Sequence, residues 1–177
     1  MTPSDASIDL PEPVAGWVGQ LRYQRQAQAL VAATNVCALC AAVEDANPAW
    51  WDSAVALELL GAEFTPPAMV SSWTRPELWR PDDHSEVMPL QLHYDLKAAF
   101  DYPTALVSGF ESVFYQPAVL NDRLSSSQLL QKVSAEKTTR LGRGRFWVIE
   151  VRYHNQDEAL VATEQFDCFG YRREVES

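Results

Sequence analysis

Residues 145–173 read RFWVIEVRYHNQDEALVATEQFDCFGYRR, and this stretch decides the fold. Alternate side chains of its first half point to opposite faces: Trp147, Ile149, Val151 and Tyr153 to one, and Phe146, Val148, Glu150 and Arg152 to the other. A period of two residues is typical of a β-strand. The letters NQDE favour a turn, and a second alternating run follows them. The stretch therefore predicts two antiparallel strands joined by a hairpin.

Two further alternating runs precede this hairpin. They are ALVSGFESVFYQ at 105–116 and LSSSQLLQKVSAEKTTR at 124–140. The separators PAVLND and LGRG contain residues that turns prefer. The back half of the chain is therefore predicted to be four antiparallel strands joined by hairpins.

The front half of the chain shows helical signals. Residues 15–30 alternate enough for a strand that leads into a helix. Four helices are then predicted: one from an N-cap at Thr34 to Val43, one capped by Ser53 and closed by Gly61, one starting at Pro66 and Pro67, and one over 90–100. Helices followed by a run of strands indicate an α+β fold, with the sheet wrapped around a helix.

Composition and charge exclude several classes of partner. The chain has 177 residues, 47% of them hydrophobic, and a formal net charge of −10. Nucleic acid and anionic membranes both select basic surfaces, so neither is an expected partner. Residues 1–12, MTPSDASIDLPE, lack the basic start and apolar stretch of a signal peptide. We expect a flexible leader at 1–12, no membrane span and a cytoplasmic protein.

Three cysteines and a long loop remain to be interpreted. Cys37 and Cys40 form a CxxC, but no second ligand pair follows, so core packing is favoured over a metal or redox site and no metal is expected. Cys168 has no obvious partner. The charged, proline-rich segment 74–89 is long for a compact domain, which indicates function or an interface. Trp73 immediately precedes this segment and Trp79 lies within it.

Four local patterns together resemble one family. DANPAWWD (45–52), EFTPPAMV (63–70), YQPAVLNDRL (115–124) and YHNQDEALVATEQF (153–166) occur in order and with suitable gaps. They resemble the GDxNPxHxD, IAPPTFL, RPVRPGDxL and YxNQDGELVATxxx patterns of MaoC-like hydratases and dehydratases, in the N-terminal dehydratase branch. The resemblance implies a single hot-dog domain over 13–175, with an antiparallel sheet around a central helix.

The resemblance also implies a reaction and shows where this chain departs from it. In the family, an Asp and a His of the loop hold the water that adds to an enoyl thioester, which is acyl-CoA substrate rather than a cofactor. Asp45 matches that Asp, but Trp50 stands where the His is expected, and an indole only donates. Pro66 and Pro67 replace a His-Gly pair whose backbone N–H would face the thioester oxygen. The catalytic machinery therefore looks incomplete.

Candidate site residues follow from these matches. Asp45 is either catalytic or a turn-former before Asn47. The residues expected to bind substrate are Asn47, Trp50, Trp51, Met69, Trp73 and His93. Among His84, His93 and His154, His93 is the best replacement for the missing His. Arg143 and Arg145, in RLGRGR, either bind the phosphates of CoA or form a solvated hairpin tip. Arg172 and Arg173 are a weaker candidate of the same kind.

Three functions of different classes stay open at this point. The first is a non-catalytic helper subunit that shapes the acyl pocket for a bulky acyl-CoA, such as a steroid side-chain thioester. Its partner would be a small catalytic MaoC-like subunit, in a heterodimer or heterotetramer. The second is a self-sufficient homodimeric hydratase, dehydratase or thioesterase that uses Asp45 with His93. The third is an acyl-thioester-binding or scaffold protein without catalysis.

Overall fold

The computed structural model describes residues 9–27, 29–76, 81 and 88–173. Its α-helices are α1 (Ala33–Ala42), α2 (Ser53–Leu60) and α3 (Gln91–Ala99). Three 3-10 helices span Val14–Trp17, Pro48–Trp50 and Pro67–Thr74. The strands are β1 (Leu21–Gln26), β2 (Thr104–Phe114), β3 (Ser125–Val133), β4 (Lys137–Thr139), β5 (Gly142–His154) and β6 (Leu160–Arg172).

All six strands form one antiparallel sheet. The order is β1-β3-β5-β6-β2, and the short strand β4 pairs with the start of β5. The hairpin predicted from 145–173 is β5 and β6, which pair from Arg143 opposite Arg172 to His154 opposite Leu160. This hairpin is the centre of the sheet, as its strict alternation indicates.

The predicted order of hairpins is wrong at β2. This strand pairs with β6 over Thr104–Phe114 and occupies the edge, so β2 and β3 are not neighbours. The segment between them does not turn tightly. It attaches to the helical layer instead, since Leu120 N–H donates to the Glu63 carbonyl and Asn121 N–H to the Val31 carbonyl. The run 124–140 also divides into β3 and β4 rather than forming one strand.

The helices cover one face of the sheet in two clusters. The first joins Val36 and Cys40 of α1 and the helix Pro67–Thr74 to Val151 and Tyr153 of β5. The second joins Leu92 and Leu96 of α3 to Trp147, Ile149, Leu130 and Cys168. The face predicted for Trp147, Ile149, Val151 and Tyr153 is thus the core face, with each residue at most 6% exposed.

Helix ends agree with the sequence within one or two residues. The N-cap of α2 is Asp52 rather than Ser53, because the Asp52 carboxylate accepts from Ala54 N–H, and Gly61 ends the helix in the left-handed region. α1 begins at Ala33, before the expected cap at Thr34. The segment after Pro66 forms a 3-10 helix rather than an α-helix. No helix of the described ranges is long and apolar enough to cross a bilayer.

Cys40 and Cys168 are buried in the core and behave as small apolar residues. Burial raises the pKa of Cys40, and it raises the pKa of Cys168 to about 12. Of the predicted leader, residues 1–8 lie outside the described ranges. Within 9–12, Asp9 accepts a hydrogen bond from Arg145 and Pro11 accepts one from Val14. Most of the predicted loop 74–89, including Trp79 and His84, also lies outside them.

Candidate functional site

Asp45 follows α1, and its carboxylate is bound by its own loop. Oδ1 accepts from the backbone N–H of Asn47 at 2.9 Å, and Oδ2 accepts from Nε1 of Trp50 at 3.0 Å. The Asp45 carbonyl accepts from Nε1 of Trp51 at 2.8 Å. Asn47 continues the turn, since its Oδ1 caps the helix Pro48–Trp50 by accepting from Ala49 N–H. Asp45 therefore has the contacts of a turn-forming residue.

Trp50 and Trp51 lie side by side over a small cavity. The Trp50 ring packs edge-on against Phe64 with centroids 5.0 Å apart, and the Sγ of Cys37 contacts its carbonyl. Trp51 is 50% exposed. Both tryptophans line a cavity of about 140 Å³ together with Val36, Leu120 and Phe64. The indoles thus form a wall rather than a proton-transfer group.

The start of the helix Pro67–Thr74 offers few backbone donors. Pro66 and Pro67 have no N–H, Thr65 N–H is bound to the Ala118 carbonyl, and Met69 N–H is bound to the Pro66 carbonyl. Thr65 itself is 2% exposed. Neither Pro66 nor Pro67 can therefore donate a backbone hydrogen bond to a ligand at this helix end.

An apolar cavity opens beside this helix. It measures about 270 Å³ and is lined by Phe64, Pro67, Val70, Phe114, Tyr115 and Val161, among others. Two predicted pocket residues, Met69 and Trp73, are 5% and 9% exposed and belong to the first core cluster behind it. They support the cavity wall from within the core.

His93 lies in the second core cluster, on α3. It is 7% exposed and packs against Trp147, with ring centroids 5.5 Å apart. Burial lowers the pKa of His93, and the nearby charge of Lys97 lowers it further. Its Nδ1 has no hydrogen-bond partner among the described residues. The hydrogen bonds of Asp45 are within its own loop, and His93 packs on Trp147, so no contact between the two is observed among the described residues.

The predicted arginines of the CoA site do meet in one cavity. Arg143, Arg145, Arg172 and Arg173 line a space of about 620 Å³ with Phe100 and Tyr102. Glu136 binds Arg143 at 2.6 Å, and Asp101 binds Arg172 at 2.7 Å. Arg145 donates to the carbonyls of Ser134 and Asp9. The cavity contains four arginines, but the guanidinium groups of Arg143, Arg145 and Arg172 already have acceptors.

Sequence reasoning missed a buried polar pair. Tyr153 donates a hydrogen bond of 2.7 Å to Oε2 of Glu164 on the core face of the sheet. Glu164 is 7% exposed and Tyr153 is 4% exposed. The alternation of β6 carried the signal, because it puts Glu164 on the same face as Ala162, Phe166 and Cys168. A carboxylate among inward-facing apolar residues is a marker of function.

Comparison with known proteins gives a family and a curated relative. The model of the family described as "FAS1-like, dehydratase domain region" matches residues 17–164. A "Probable enoyl-CoA hydratase alpha subunit" of Thermomonospora curvata is 27% identical over 168 residues, covering 93% of this chain and 52% of the relative. The chain thus spans about half the length of that relative.

Solved structures share the fold. The ChsH1-ChsH2 complex of Mycobacterium tuberculosis contains a chain with a TM-score of 0.73 and 24% identity, over 89% of this chain and 88% of that one. The HadBC (3R-hydroxyacyl-ACP dehydratase) complex of the same organism gives 0.54 and 17%, over 84% and 95%. The antiparallel sheet packed on helices is the hot-dog fold, as expected from the sequence.

Proposed function

The chain belongs to the FAS1-like dehydratase domain family, and we propose that it is the non-catalytic subunit of a heteromeric enoyl-CoA hydratase. In this role it shapes the pocket for a bulky acyl-CoA, such as a steroid side-chain thioester. A small MaoC-like partner supplies the Asp and His that act on the water. The curated relative, named an alpha subunit, supports a role within an assembly.

The observation that carries the proposal is the hydrogen bond from Trp50 to Asp45. General acid–base catalysis needs a carboxylate and a second group that both reach the same water. Here Oδ2 of Asp45 accepts from an indole that cannot take up a proton, and Oδ1 accepts from the Asn47 backbone. The loop keeps its shape while its proton-transfer function is lost.

The edge strand β2 supports a protein partner. Val107, Phe110 and Phe114 pair in register with Cys168, Phe166 and Ala162, so they continue the core face of the sheet. The helices do not cover them: they are 47%, 58% and 46% exposed. An uncovered inward face on an edge strand exposes both apolar area and free backbone groups. A second hot-dog subunit, whose own sheet presents a similar edge, is the occupant that we propose.

The apolar cavity lies at this same edge. Phe114 and Tyr115 at the end of β2 form one of its walls, and Pro67 and Val70 form another. A partner seated on β2 would close the cavity and place its own catalytic groups at the opening. The acyl group then lies between the subunits, with Phe64 in one wall and Trp50 packed against Phe64.

Arg143 and Arg145 stay in the proposal as contacts for the CoA phosphates. Both face the same side of β5 as Tyr153, and eight residues, or roughly 26 Å of extended strand, separate Arg145 from Tyr153. α3 packs on the sheet between these two positions. The CoA nucleotide bound at these arginines would therefore not direct its thioester towards Asp45 of the same chain. This arrangement suits a reaction centre on the partner subunit.

A self-sufficient enzyme receives less support. It needs His93 within hydrogen-bond reach of the water held by Asp45, but His93 packs on Trp147 in the other cluster. A binding protein without catalysis would have the same pocket but would assemble with no catalytic subunit. Reconstitution distinguishes it from the helper subunit.

The test is co-expression with a small MaoC-like protein from the same genome. The purified material is sized by mass measurement, and hydration of a bulky enoyl-CoA is followed by loss of enoyl absorbance. We expect an inert single chain and an active mixed complex. An active homo-oligomer of this chain alone, abolished by Asp45→Asn, would refute the helper role. A stable mixed complex without activity towards any enoyl-CoA would favour the binding protein.

A further inference from the structure

Glu164 is a charged residue in the middle of a core face. It lies opposite Val151 of β5 and Ser112 of β2, with Ala162 and Phe166 as the inward residues on either side. Burying a carboxylate is unfavourable unless hydrogen bonds replace its water. A buried carboxylate needs several hydrogen-bond donors in place of water. The folded chain alone provides only some of them.

Tyr153 provides one such donor. Its hydroxyl donates to Oε2 of Glu164 at 2.7 Å. Burial raises the pKa of Tyr153, and the negative charge of Glu164 raises it further, so the phenol stays protonated and keeps donating. The charge of Arg75 and a hydrogen bond with Ser71 both lower the pKa of Tyr153 and so oppose part of this rise. Tyr153 is thus a neutral donor that is held in place, and Glu164 is the acceptor that it binds.

The pair faces a cavity of its own. This space measures about 160 Å³ and is lined by Glu164 and Tyr153, by the polar side chains of Ser71, Thr74, Ser126, Arg25 and Arg75, and by apolar groups. At about 30 Å³ for each water, it has room for about five waters or the end of an organic group. Glu164 is the acidic group among these lining residues.

The polar cavity and the apolar cavity lie along one helix. Val70 lines the apolar space and Ser71 and Thr74 line the polar one, so the character of the wall changes within one turn of the helix Pro67–Thr74. Ser112 of β2, beside Glu164, belongs to the uncovered inward row that also contains Phe110 and Phe114. The described residues that line the polar cavity belong to β1, β3, β5, β6 and this helix with its flanking segments, not to β2, so a ligand that fills both spaces must pass along the helix Pro67–Thr74.

We propose that Glu164 and Tyr153 bind a hydroxyl group at the end of the acyl chain remote from the thioester. The hydroxyl donates to the Glu164 carboxylate, and its oxygen accepts from a polar side chain of the lining. The inference rests on the proposed function and names its substrate class: oxygenated acyl-CoA thioesters rather than plain ones. At the Glu164 oxygens themselves a terminal carboxylate fits less well than a hydroxyl, because two carboxylates in contact repel each other, while Arg25 and Arg75 lie elsewhere in the same lining.

Binding of non-reacting thioesters tests the proposal. Saturated ω-hydroxyacyl-CoA and plain acyl-CoA of matched, increasing chain length are titrated by calorimetry into the full chain, alone and with its partner. At the length that reaches Glu164, we expect the hydroxyl compound to bind about tenfold tighter. Glu164→Gln and Tyr153→Phe should each remove most of this preference. Glu150→Gln, the same change on the outward face, should leave it intact.

Several outcomes would overturn the proposal. One is that hydroxyl and plain thioesters bind the wild type equally at every chain length. Another is that Glu164→Gln and Tyr153→Phe keep the full preference for the hydroxyl compound. A third is that no thioester binds at all. Tighter binding of ω-carboxyacyl-CoA than of the hydroxyl series would also refute it and would point to Arg25 and Arg75 instead. A hydroxyl preference without turnover by the complex would refute the proposed function while leaving this site standing.

Discussion

Nε1 of Trp50 donates a hydrogen bond to Oδ2 of Asp45 across 3.0 Å. The four residues between them form a turn, and Asp45 also accepts hydrogen bonds from Asn47 N–H and from Nε1 of Trp51. The indole therefore stabilises the loop at the atom where an enzyme of this fold would hold a water. Several measurable consequences follow from this geometry and from the contacts around it.

Asp45→Asn should leave the activity of the mixed complex within about twofold of wild type. The amide oxygen keeps one of the two hydrogen bonds, and no step of the reaction uses this side chain in the proposed role. Initial rates of enoyl-CoA hydration provide the measurement. A loss of about a hundredfold or more, with the complex still assembled, would mean that Asp45 is catalytic after all.

Trp50→Phe should destabilise the chain by about 1–2 kcal/mol. The phenyl ring keeps contact with Phe64, but the hydrogen bond to Asp45 is lost and the carboxylate must be solvated again. Urea unfolding gives the free energy. Trp51→Phe is the matched control: its indole is exposed and bonds only a carbonyl, so we expect about 0.5 kcal/mol or less. Equal losses in the two variants would contradict the structural role of Trp50.

Phe110→Ser should weaken the complex with the partner by about tenfold or more while leaving the fold of the chain intact. Its ring is 58% exposed on the inward face of β2, where a partner would bury it. Leu59→Ser, on α2 and 61% exposed, is the control for loss of an exposed apolar group. Analytical ultracentrifugation compares the two dissociation constants. Equal behaviour of both variants would exclude β2 as the docking edge.

The double substitution of Arg143 and Arg145 by Gln should raise the dissociation constant for CoA thioesters by about tenfold. Two guanidinium groups that face one cavity are lost, and each charge-assisted phosphate contact is worth about 1 kcal/mol or more. Arg140→Gln removes a charge from the same sequence run without touching the cavity lining. A rise of similar size in the dissociation constant of that control would assign the effect to net charge rather than to a site.

His93 should make the stability of the chain depend on pH. Its pKa is lowered in the folded state, so the unfolded chain binds the proton more readily. The stabilising contribution is therefore complete above the unfolded value near 6.5 and is lost as the pH falls towards the lower folded value. The difference in unfolding free energy between wild type and His93→Gln should shrink as the pH falls from about 8 to about 5. A constant difference would contradict the burial of a neutral imidazole.

Local patterns were sufficient for much of this protein. Alternation over 145–173 gave the central hairpin and its core face, because the period of a strand is a property of the backbone and needs no knowledge of the rest of the chain. The pattern of the Asp45 loop likewise predicts that the family's histidine is missing at Trp50, since an indole lacks proton-transfer chemistry in any fold. Helix ends were correct within one or two residues, and Gly61 marks the end of α2 because a left-handed C-cap is a local requirement.

Pairing and proximity needed the tertiary structure. The sequence of β2 identifies a strand, but only long-range hydrogen bonding puts it beside β6 at the edge, with Phe110 and Phe114 uncovered. The helix bearing His93 was predicted correctly, yet its packing on Trp147 separates this residue from Asp45. Glu164 and Tyr153 lie eleven residues apart on different strands, and only the register of β5 and β6 makes them a bonded pair. Residues far apart in sequence meet through the sum of many weak contacts, and no single stretch of sequence encodes that sum.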